Sequence, residues 1–336
     1  GITLNLKTGK GREILEQIIA KSDLVTENFA AGVLERLGFG YERLKQIRPG
    51  VIYVSNCGFG FTGPYREFKT WGPIVQAVSG LTFMSGLPEK EPAGWGFSYM
   101  DHTGGQYMAM AILMALFHRK RTGEGQWVDM ACCDAALTLN GPALLDYSVN
   151  GRTSREAGLP AGNRSVWPAM APHGIYRTLG EDQWVAIACR DDADWERLAV
   201  VIGEEWAAQG KWRSLGQRVA GQDELDAMMD HWCSRFDKFA LERRLQEAGL
   251  AAAAVRDARE RIDEDSANDG FDLWPEVEHS AMGRVRVDGL PVRFSRTPQE
   301  IRRGGPCLGE HTEQVLGELL GIGAEEVATL RAEGVV

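Results

Sequence analysis

Val51-Ile52-Tyr53-Val54-Ser55, running on into Asn56-Cys57-Gly58-Phe59-Gly60, is the stretch whose reading sets the fold class. β-branched and aromatic residues fill the run, Pro49-Gly50 stops what precedes it, and glycines close it, so it reads as a strand. Upstream, Tyr41 to Ile47 has helical periodicity, and a short helical piece spans Val33 to Leu37 before Gly38-Phe39-Gly40. Asp23-Leu24-Val25-Thr26-Glu27-Asn28-Phe29 reads as a short strand that ends in polar residues. From Gly11 to Lys21, Ile14, Leu15, Ile18 and Ile19 share one helical face, and Ile2 to Leu6 alternates as a strand does. Strands and helices alternating in this way predict a parallel sheet covered by helices. Ligands of such sheets bind beyond the carboxyl ends of the strands. Asn28-Phe29 and Cys57-Gly58-Phe59-Gly60 occupy two such ends.

Downstream, Gly58-Phe59-Gly60-Phe61-Thr62-Gly63 spells G-x-G-x-x-G after a strand. The context of a dinucleotide site is missing: Pro64-Tyr65 follows where a helix should open, and no strand ending in an acid lies about 20 positions on. A glycine loop near a ligand, or a plain tight turn, fits better. Ile74 to Val78 reads as a helix and Met84 to Gly94, with Pro88 and Pro92, as a surface loop.

Next comes Trp95-Gly96-Phe97-Ser98-Tyr99-Met100-Asp101-His102-Thr103-Gly104-Gly105, then an apolar run from Tyr107 to Phe117, then Arg119-Lys120-Arg121. The run predicts a buried helix whose C-terminal end carries the cations its dipole favours. Asp101 then lies at or just before the first turn, where free N–H groups and the dipole favour an anion. Two roles fit a carboxylate there. It caps the helix, the commoner use of Asp, or it stands ionised beside small residues that admit a ligand and acts as a nucleophile.

Gln126 to Ala131 reads as a strand, and Asp134 to Tyr147 as a helix broken near Gly141-Pro142. Asp129 and Asp134 read as solvated or capping groups. From Gly151 to Pro172 the chain is irregular, and Ala161-Gly162-Asn163-Arg164-Ser165-Val166-Trp167-Pro168 suits a loop that lies over a site or links domains. Ile175-Tyr176-Arg177 and Trp184 to Ala188 flank a hairpin turn. Amphipathic helices follow at about 192–201, 223–235 and 238–247, then a strand over 251–255. Asp288-Gly289 between Val285 and Phe294 signals a second hairpin, and Gly309-Glu310-His311-Thr312 opens a C-terminal helix with Thr312 as its cap. The predicted division is a large domain over 1–174, a small α+β domain over 175–285, and a return to the large domain over 286–336.

A net charge of −10 argues against nucleic acid as a partner. The six cysteines form no C-x-x-C pair and no zinc pattern with the histidines, so no metal site is expected and a reducing cytoplasm is the simplest setting. The longest apolar run, 107–117, is well short of the ~20 residues of a membrane span. No signal peptide opens the chain, and no H-E-x-x-H, G-x-S-x-G or P-loop occurs. His102, beside Asp101, reads as structural.

Several of these blocks together resemble the family III CoA-transferases, the group of formyl-CoA transferase and carnitine CoA-transferase, with α-methylacyl-CoA racemase as a relative. They are the Asp23–Phe29 block with Gly32 and Leu34-Glu35-Arg36-Leu37-Gly38, and Pro49 to Tyr53 running through Gly58–Gly60 to Gly63-Pro64-Tyr65. Asp101 with Gly104-Gly105, Arg121-Thr122-Gly123-Glu124-Gly125-Gln126, and Gly309 to Thr312 complete the set. The resemblance implies a Rossmann-like large domain with an inserted smaller α+β domain, in an interlocked dimer. It implies that Asp101 attacks an acyl-CoA thioester and exchanges acyl groups through an aspartyl-CoA thioester. Coenzyme A enters as a substrate thioester and no cofactor stays bound; a free carboxylic acid is the second substrate. Asn28, Phe29 and Arg36, together with Gly58, Gly60 and Trp71, are the implied CoA-binding residues. Backbone N–H groups near Gly104, Gly105 or the Gly58–Gly60 turn are the candidate oxyanion donors.

Trp71 stands where the racemases carry a catalytic His, which favours transfer over racemisation. The glycine-rich loop of formyl-CoA transferase is unmatched after Gly162-Asn163. Trp71, Trp95, Phe97, Tyr99 and Trp167 suggest a large or aromatic acyl group, as in benzylsuccinate-type transferases of two different subunits. Full-length members begin with a strand and helix that precede the position of Gly1. The rival readings are an acyl-CoA racemase on the same fold and a non-catalytic partner subunit. The expected assembly is a homodimer or a hetero-oligomer with a related chain.

Overall fold

The structure is a computed structural model and describes residues 1–87, 89–155, 162–165, 167–265 and 273–336. Helix α1 covers Gly9–Ala20, with the Thr8 hydroxyl accepting the Gly11 N–H as its cap. Strand β1 is Leu24–Glu27, the short helices α2 and α3 are Val33–Arg36 and Tyr41–Ile47, and β2 is Ile52–Cys57. Then come α4 at Gly72–Val78, α5 at Leu81–Met84, the long α6 at Tyr99–Thr122, β3 at Trp127–Ala131, α7 at Cys132–Leu139 and α8 at Gly141–Asn150. Strands β1, β2 and β3 form a parallel sheet with β2 in the centre; Leu24 sits opposite Ile52, and Tyr53 opposite Trp127.

Alternation along β2 explains the layering. Val51 and Tyr53 join Ile19, Leu34, Phe39 and Leu44 on one face, whereas Ile52 and Val54 join Ala115 of α6 on the other. Successive side chains of a strand point to opposite faces, and a parallel strand is buried on both. All of β2 is accordingly buried.

By packing, the chain falls into two compact units, one of residues 1–82, 94–142 and 267–336, the other of 83–93 and 143–266. In the second unit, β4 (His173–Arg177), β5 (Trp184–Ala188) and β6 (Ala251–Ala254) form an antiparallel sheet. Helices α9 (Asp192–Ile202), α10 (Leu215–Ala220), α11 (Gln222–Cys233) and α12 (Lys238–Glu247) accompany it. Val185, Ile187, Leu198, Met229 and Trp232 are in its core. The buried Arg218 guanidinium donates to the carbonyls of Ala171 at 2.8 Å and Trp212 at 3.0 Å, and to Asp192 at 3.0 Å. Ala171 packs in this core and Arg164 pairs with Asp226 at 2.7 Å, which is why the unit begins well before residue 175.

The first unit resumes with β7 (Glu276–His279) and β8 (Gly283–Arg286), an antiparallel hairpin, and ends with α13 (Thr312–Leu320) and α14 (Ala324–Ala332). The hairpin lies with the later segment, since Gly304 N–H donates to the Glu278 carbonyl at 3.0 Å.

Four local expectations change. Ile2 to Leu6 is not a strand: Thr3 N–H donates to the Thr312 hydroxyl and Asn5 N–H to the Val335 carbonyl, so turns and the C-terminal segment take its backbone groups. The second hairpin turns at Gly283 (φ +70°), not at Asp288-Gly289, where Gly289 N–H donates to Leu273. Thr312 is the first residue of α13, not its cap, and His311 precedes it without a side-chain capping bond. The apolar run of α6 is only half buried. Met100, Gly104 and Ala115 are covered, while Met110, Leu113, Met114 (72% exposed) and Phe117 are open. One sheet face covers one stripe of a helix, and this helix is apolar on more than one stripe.

Among the described residues, no helix is long and apolar enough to cross a membrane. The second unit also carries a pH-sensitive element. Asp194 is fully buried and accepts from Arg190 Nε at 2.6 Å, from the Arg190 backbone N–H at 3.0 Å, and from Arg197. The Arg190 bonds, against the cost of burial, hold its carboxyl down at about 2. A depressed folded value stabilises above the unfolded value near 4 and ceases to do so as pH falls to 2. The parent chain is therefore expected to lose about 2 kcal/mol from this group between pH 4 and pH 2. Asp194→Asn is expected to be less stable at pH 6, with the gap narrowing over that window in urea unfolding.

Candidate active site

The carboxyl ends of β1 and β2 build one wall. At the end of β1, the Glu27 carboxylate accepts the Phe29 N–H at 2.6 Å and the Tyr53 hydroxyl at 3.2 Å. Glu27 is thus turned inward to shape the corner, burial pushes its carboxyl up, and Asn28 and Phe29 are left exposed. At the end of β2, the Gly58 carbonyl accepts the Cys133 N–H of α7 at 2.9 Å. Gly60 is left-handed (φ +77°), and the next N–H, Phe61, donates to both oxygens of Asp129 at 3.0 and 3.2 Å. Asp129 is therefore a turn-holding group. Thr70 lies against Gly58: a Cβ there would sit 1.9 Å from Thr70 Oγ1.

The N-terminal end of α6 supplies the floor. Ser98 is the residue before the helix and Asp101 is the third within it, its N–H donating to the Ser98 carbonyl at 3.0 Å. Asp101 is not the cap. Its side chain is exposed and has no hydrogen-bond or ion-pair partner among the described residues. Gly72 passes close by; a Cβ on it would meet Ser98 Cβ at 2.7 Å and Asp101 Oδ1 at 3.0 Å.

Asp101, Asn28, Phe29, Gly58 and Trp71 line one cavity of about 320 Å³. Arg36 lies in an adjoining cavity of about 610 Å³ that shares Ala31 and Arg66 with the first. Gly60 is on neither wall; it backs onto Ala131 and Asp129. The structure therefore brings five of the seven expected site residues to one cavity, places Arg36 in the next, and leaves Gly60 on neither. The sequence reading missed Asn56, Arg66, Lys69 and Cys132, which line the same cavity. Asn56 had a legible signal, being at a strand's carboxyl end. Arg66, Lys69 and Cys132 had none, because their approach depends on the return of the 61–71 segment and on the start of α7.

The sequence profile of CoA-transferase family III matches residues 1–312. The chain belongs to this family. It is 30% identical, over its whole length and 82% of the relative, to a succinyl-CoA–D-citramalate CoA-transferase of Chloroflexus aurantiacus. It is also 30% identical, again over its whole length and 83% of the relative, to a formyl-CoA:oxalate CoA-transferase of Streptomyces coelicolor. The crystal structure of a CaiB/BaiF family protein from Brucella suis superimposes with a TM-score of 0.84 at 29% identity, covering 95% of this chain and 81% of that one. The chain is thus a CoA-transferase, an enzyme that moves coenzyme A between an acyl-CoA and a carboxylate.

Within the transferase, the candidate nucleophiles differ in readiness. Burial pushes the Cys132 thiol up to about 11, with the Asp101 charge adding to it. Burial, then the Asp129 charge, does the same to Cys57. Both are protonated at neutral pH, and a thiol is a poor nucleophile beside a free carboxylate. No histidine is among the described residues of the cavity wall. His102 is turned to Phe97, their rings 5.4 Å apart.

Two of the expected oxyanion donors are occupied. Gly104 and Gly105 are inside α6, where backbone N–H groups bond to the carbonyl four residues back. The N–H groups of Phe59 and Gly60 face the Cys57 sulphur. Of the five aromatics noted in the sequence, Trp71 (70% exposed) is on the cavity wall. Trp95 and Phe97 each meet Tyr99 edge to face, with the Trp95 and Tyr99 rings 4.7 Å apart, and Trp167 is in the other unit, 92% exposed. In the loop from Gly162 to Trp167, Val166 lies outside the described residues, as does Ala161 just before it. Among the described residues, no three metal-binding side chains cluster.

Proposed function

We propose that Asp101 is the nucleophile of an acyl-CoA:carboxylate CoA-transferase. The observation that carries this is that Asp101 is the sole carboxylate among the described residues of the cavity wall, exposed and without a partner. Its oxygen adds to the thioester carbonyl carbon, the C–S bond breaks, and the electron pair leaves on the CoA sulphur. The thiolate then attacks the Asp101 carbonyl of the mixed anhydride, releasing the donor acid and leaving an aspartyl-CoA thioester. The acceptor carboxylate repeats the two steps in reverse and departs as its CoA thioester. Each step exchanges one acyl bond for another and needs no redox partner.

Asn28 and Phe29 flank the CoA arm in this reading, with Gly58 and Trp71 on the facing wall and the Gly60 turn holding Gly58 in place. Arg36 in the adjoining cavity, with Arg66 between the two, suits the phosphates, since a guanidinium binds phosphate with paired N–H groups. Lys69 adds a positive charge with no partner among the described residues. Phe29, Phe59 and Trp71 support an acyl group with apolar or aromatic surface. The open apolar stripe of α6 supports a dimer, with itself or with a related chain, in which that stripe is covered. Six unpaired cysteines suit a reducing, cytoplasmic setting.

The test is chemical trapping. The chain is incubated with a panel of aliphatic and aromatic acyl-CoAs, quenched with hydroxylamine, digested and mapped by mass spectrometry. A hydroxamate on Asp101, strongest with the apolar acyl groups, is the expected result. A modified cysteine, or none, with transfer still proceeding, overturns the assignment.

A further inference from the structure

Asn56 is a polar residue of this cavity to which nothing above gives a task. It is next to last in β2, 9% exposed, and on the cavity wall. Its Oδ1 accepts the Sγ–H of Cys132 at 3.1 Å. A thiol donates only while protonated, and the burial of Cys132 keeps it so. The amide orientation is thereby set: Oδ1 is committed to sulphur, and Nδ2 is turned the other way. Nδ2 has no hydrogen-bond partner among the described residues and is not one of the sealed unpaired atoms, so it is open to the cavity, where an acceptor on a ligand can reach it.

Gly104 shows how close α6 comes to this pair. A Cβ on Gly104 would sit 2.9 Å from Cys132 Sγ and 3.8 Å from Asn56 Nδ2. Gly104 is one turn beyond Asp101 on the same face of α6. The glycine therefore lets α6 pack directly onto Cys132, which brings the turn that carries Asp101 close to the Cys132–Asn56 pair.

We infer that Asn56 Nδ2 donates a hydrogen bond to the acyl carbonyl oxygen of the bound thioester, and that Cys132 positions it; this rests on Asp101 as the nucleophile. When the Asp101 oxygen adds to the carbonyl carbon, the π pair moves onto that oxygen, where the N–H meets it. The carbonyl re-forms as the C–S bond breaks, and the amide keeps its proton throughout. The same donor serves the reverse additions of the cycle. Gly104 and Gly105 are inside α6, where their N–H groups serve the helix, and a neutral amide fills the role without competing for the Asp101 charge.

The test combines steady-state transfer with the rate of Asp101 labelling at saturating acyl-CoA. Asn56→Ala is expected to lower kcat by roughly 10²–10³-fold, the cost of one oxyanion donor, with KM for acyl-CoA little changed. Cys132→Ala frees the amide to rotate and is expected to lower kcat by about tenfold, and Cys132→Ser, which restores a donor to Oδ1, to recover most of that loss. A merely structural role would not produce this rescue. Melting curves are recorded beside the rates; should Asn56→Ala fail to fold, the Cys132 pair decides. Normal kcat in a folded Asn56→Ala chain, or no difference between Cys132→Ser and Cys132→Ala, overturns the donor role alone. No label on Asp101 in the unaltered chain overturns the nucleophile, and this role with it.

Discussion

Asp101→Ala is expected to lose CoA transfer by roughly 10⁴–10⁶-fold, the scale seen when a covalent nucleophile is deleted. The loss is deep because the cavity holds no substitute. Cys57 and Cys132 are protonated by burial, and no second carboxylate and no histidine is among the described residues of the wall. The fold should be unaffected. The Asp101 side chain is not the helix cap and has no hydrogen-bond or ion-pair partner among the described residues, so its removal is expected to shift stability by no more than about 0.5 kcal/mol, as for other exposed positions. Calorimetric binding of free CoA, thermal melting and initial rates separate the two effects. Asp101→Glu is the finer probe. Its carboxylate is displaced by one methylene, about the distance at which misplacement of a reacting group costs a hundredfold. Parent-level turnover by Asp101→Ala would remove the nucleophile from the scheme.

Gly58→Ala is expected to cost both stability and rate, and its cause is steric. The new Cβ would sit 1.9 Å from Thr70 Oγ1 and 2.6 Å from Thr70 Cβ and Cγ2. Threonine is stiff at χ1, so the relief must come from the backbone. The 66–71 segment is expected to move, and it carries Arg66, Lys69, Thr70 and Trp71, all on the cavity wall. Overpacking of this kind costs about 1–3 kcal/mol, and a shift of 1 Å at the site costs about a hundredfold in rate. Thr70→Gly deletes each of the clashing atoms. The double variant Gly58→Ala with Thr70→Gly is therefore expected to recover most of the stability lost by Gly58→Ala, a coupling that a double-mutant cycle measures. Additive losses would show that the glycine is needed for another reason.

Much of the sheet was legible from residue pattern alone. The β runs at 24–27, 52–57 and 127–131, the helix at 41–47 and the helix at 238–247 are local in origin, since each has its own periodicity and its own stop signal. Ile2 to Leu6 was misleading because alternation shows only that a segment can pair; its backbone partners came from residues more than 300 positions away. The apolar run of α6 was misread for a related reason. Hydrophobicity marks a surface that needs a cover but not which stripe the same chain covers. The unit boundaries were displaced because Arg164 and Ala171 commit to partners at Asp226 and Arg218, contacts with no trace in local composition.

By itself the sequence determined the alternating parallel α/β order, the strand carboxyl ends that line the cavity, and the family to which the motif blocks belong. Those are properties of short windows, where spacing and residue type act through neighbours a few positions apart. Only the tertiary structure decided that Asp101 stands free inside the first turn of α6 and is not its cap. It alone brought Thr70, Asn56 and Cys132 around that carboxylate, with Glu27 and Asp129 turned away to hold corners. Such choices depend on which side chains meet across strands and helices. A carboxylate's task is set by the hydrogen bonds and burial it finds there, and its place in the chain does not specify them.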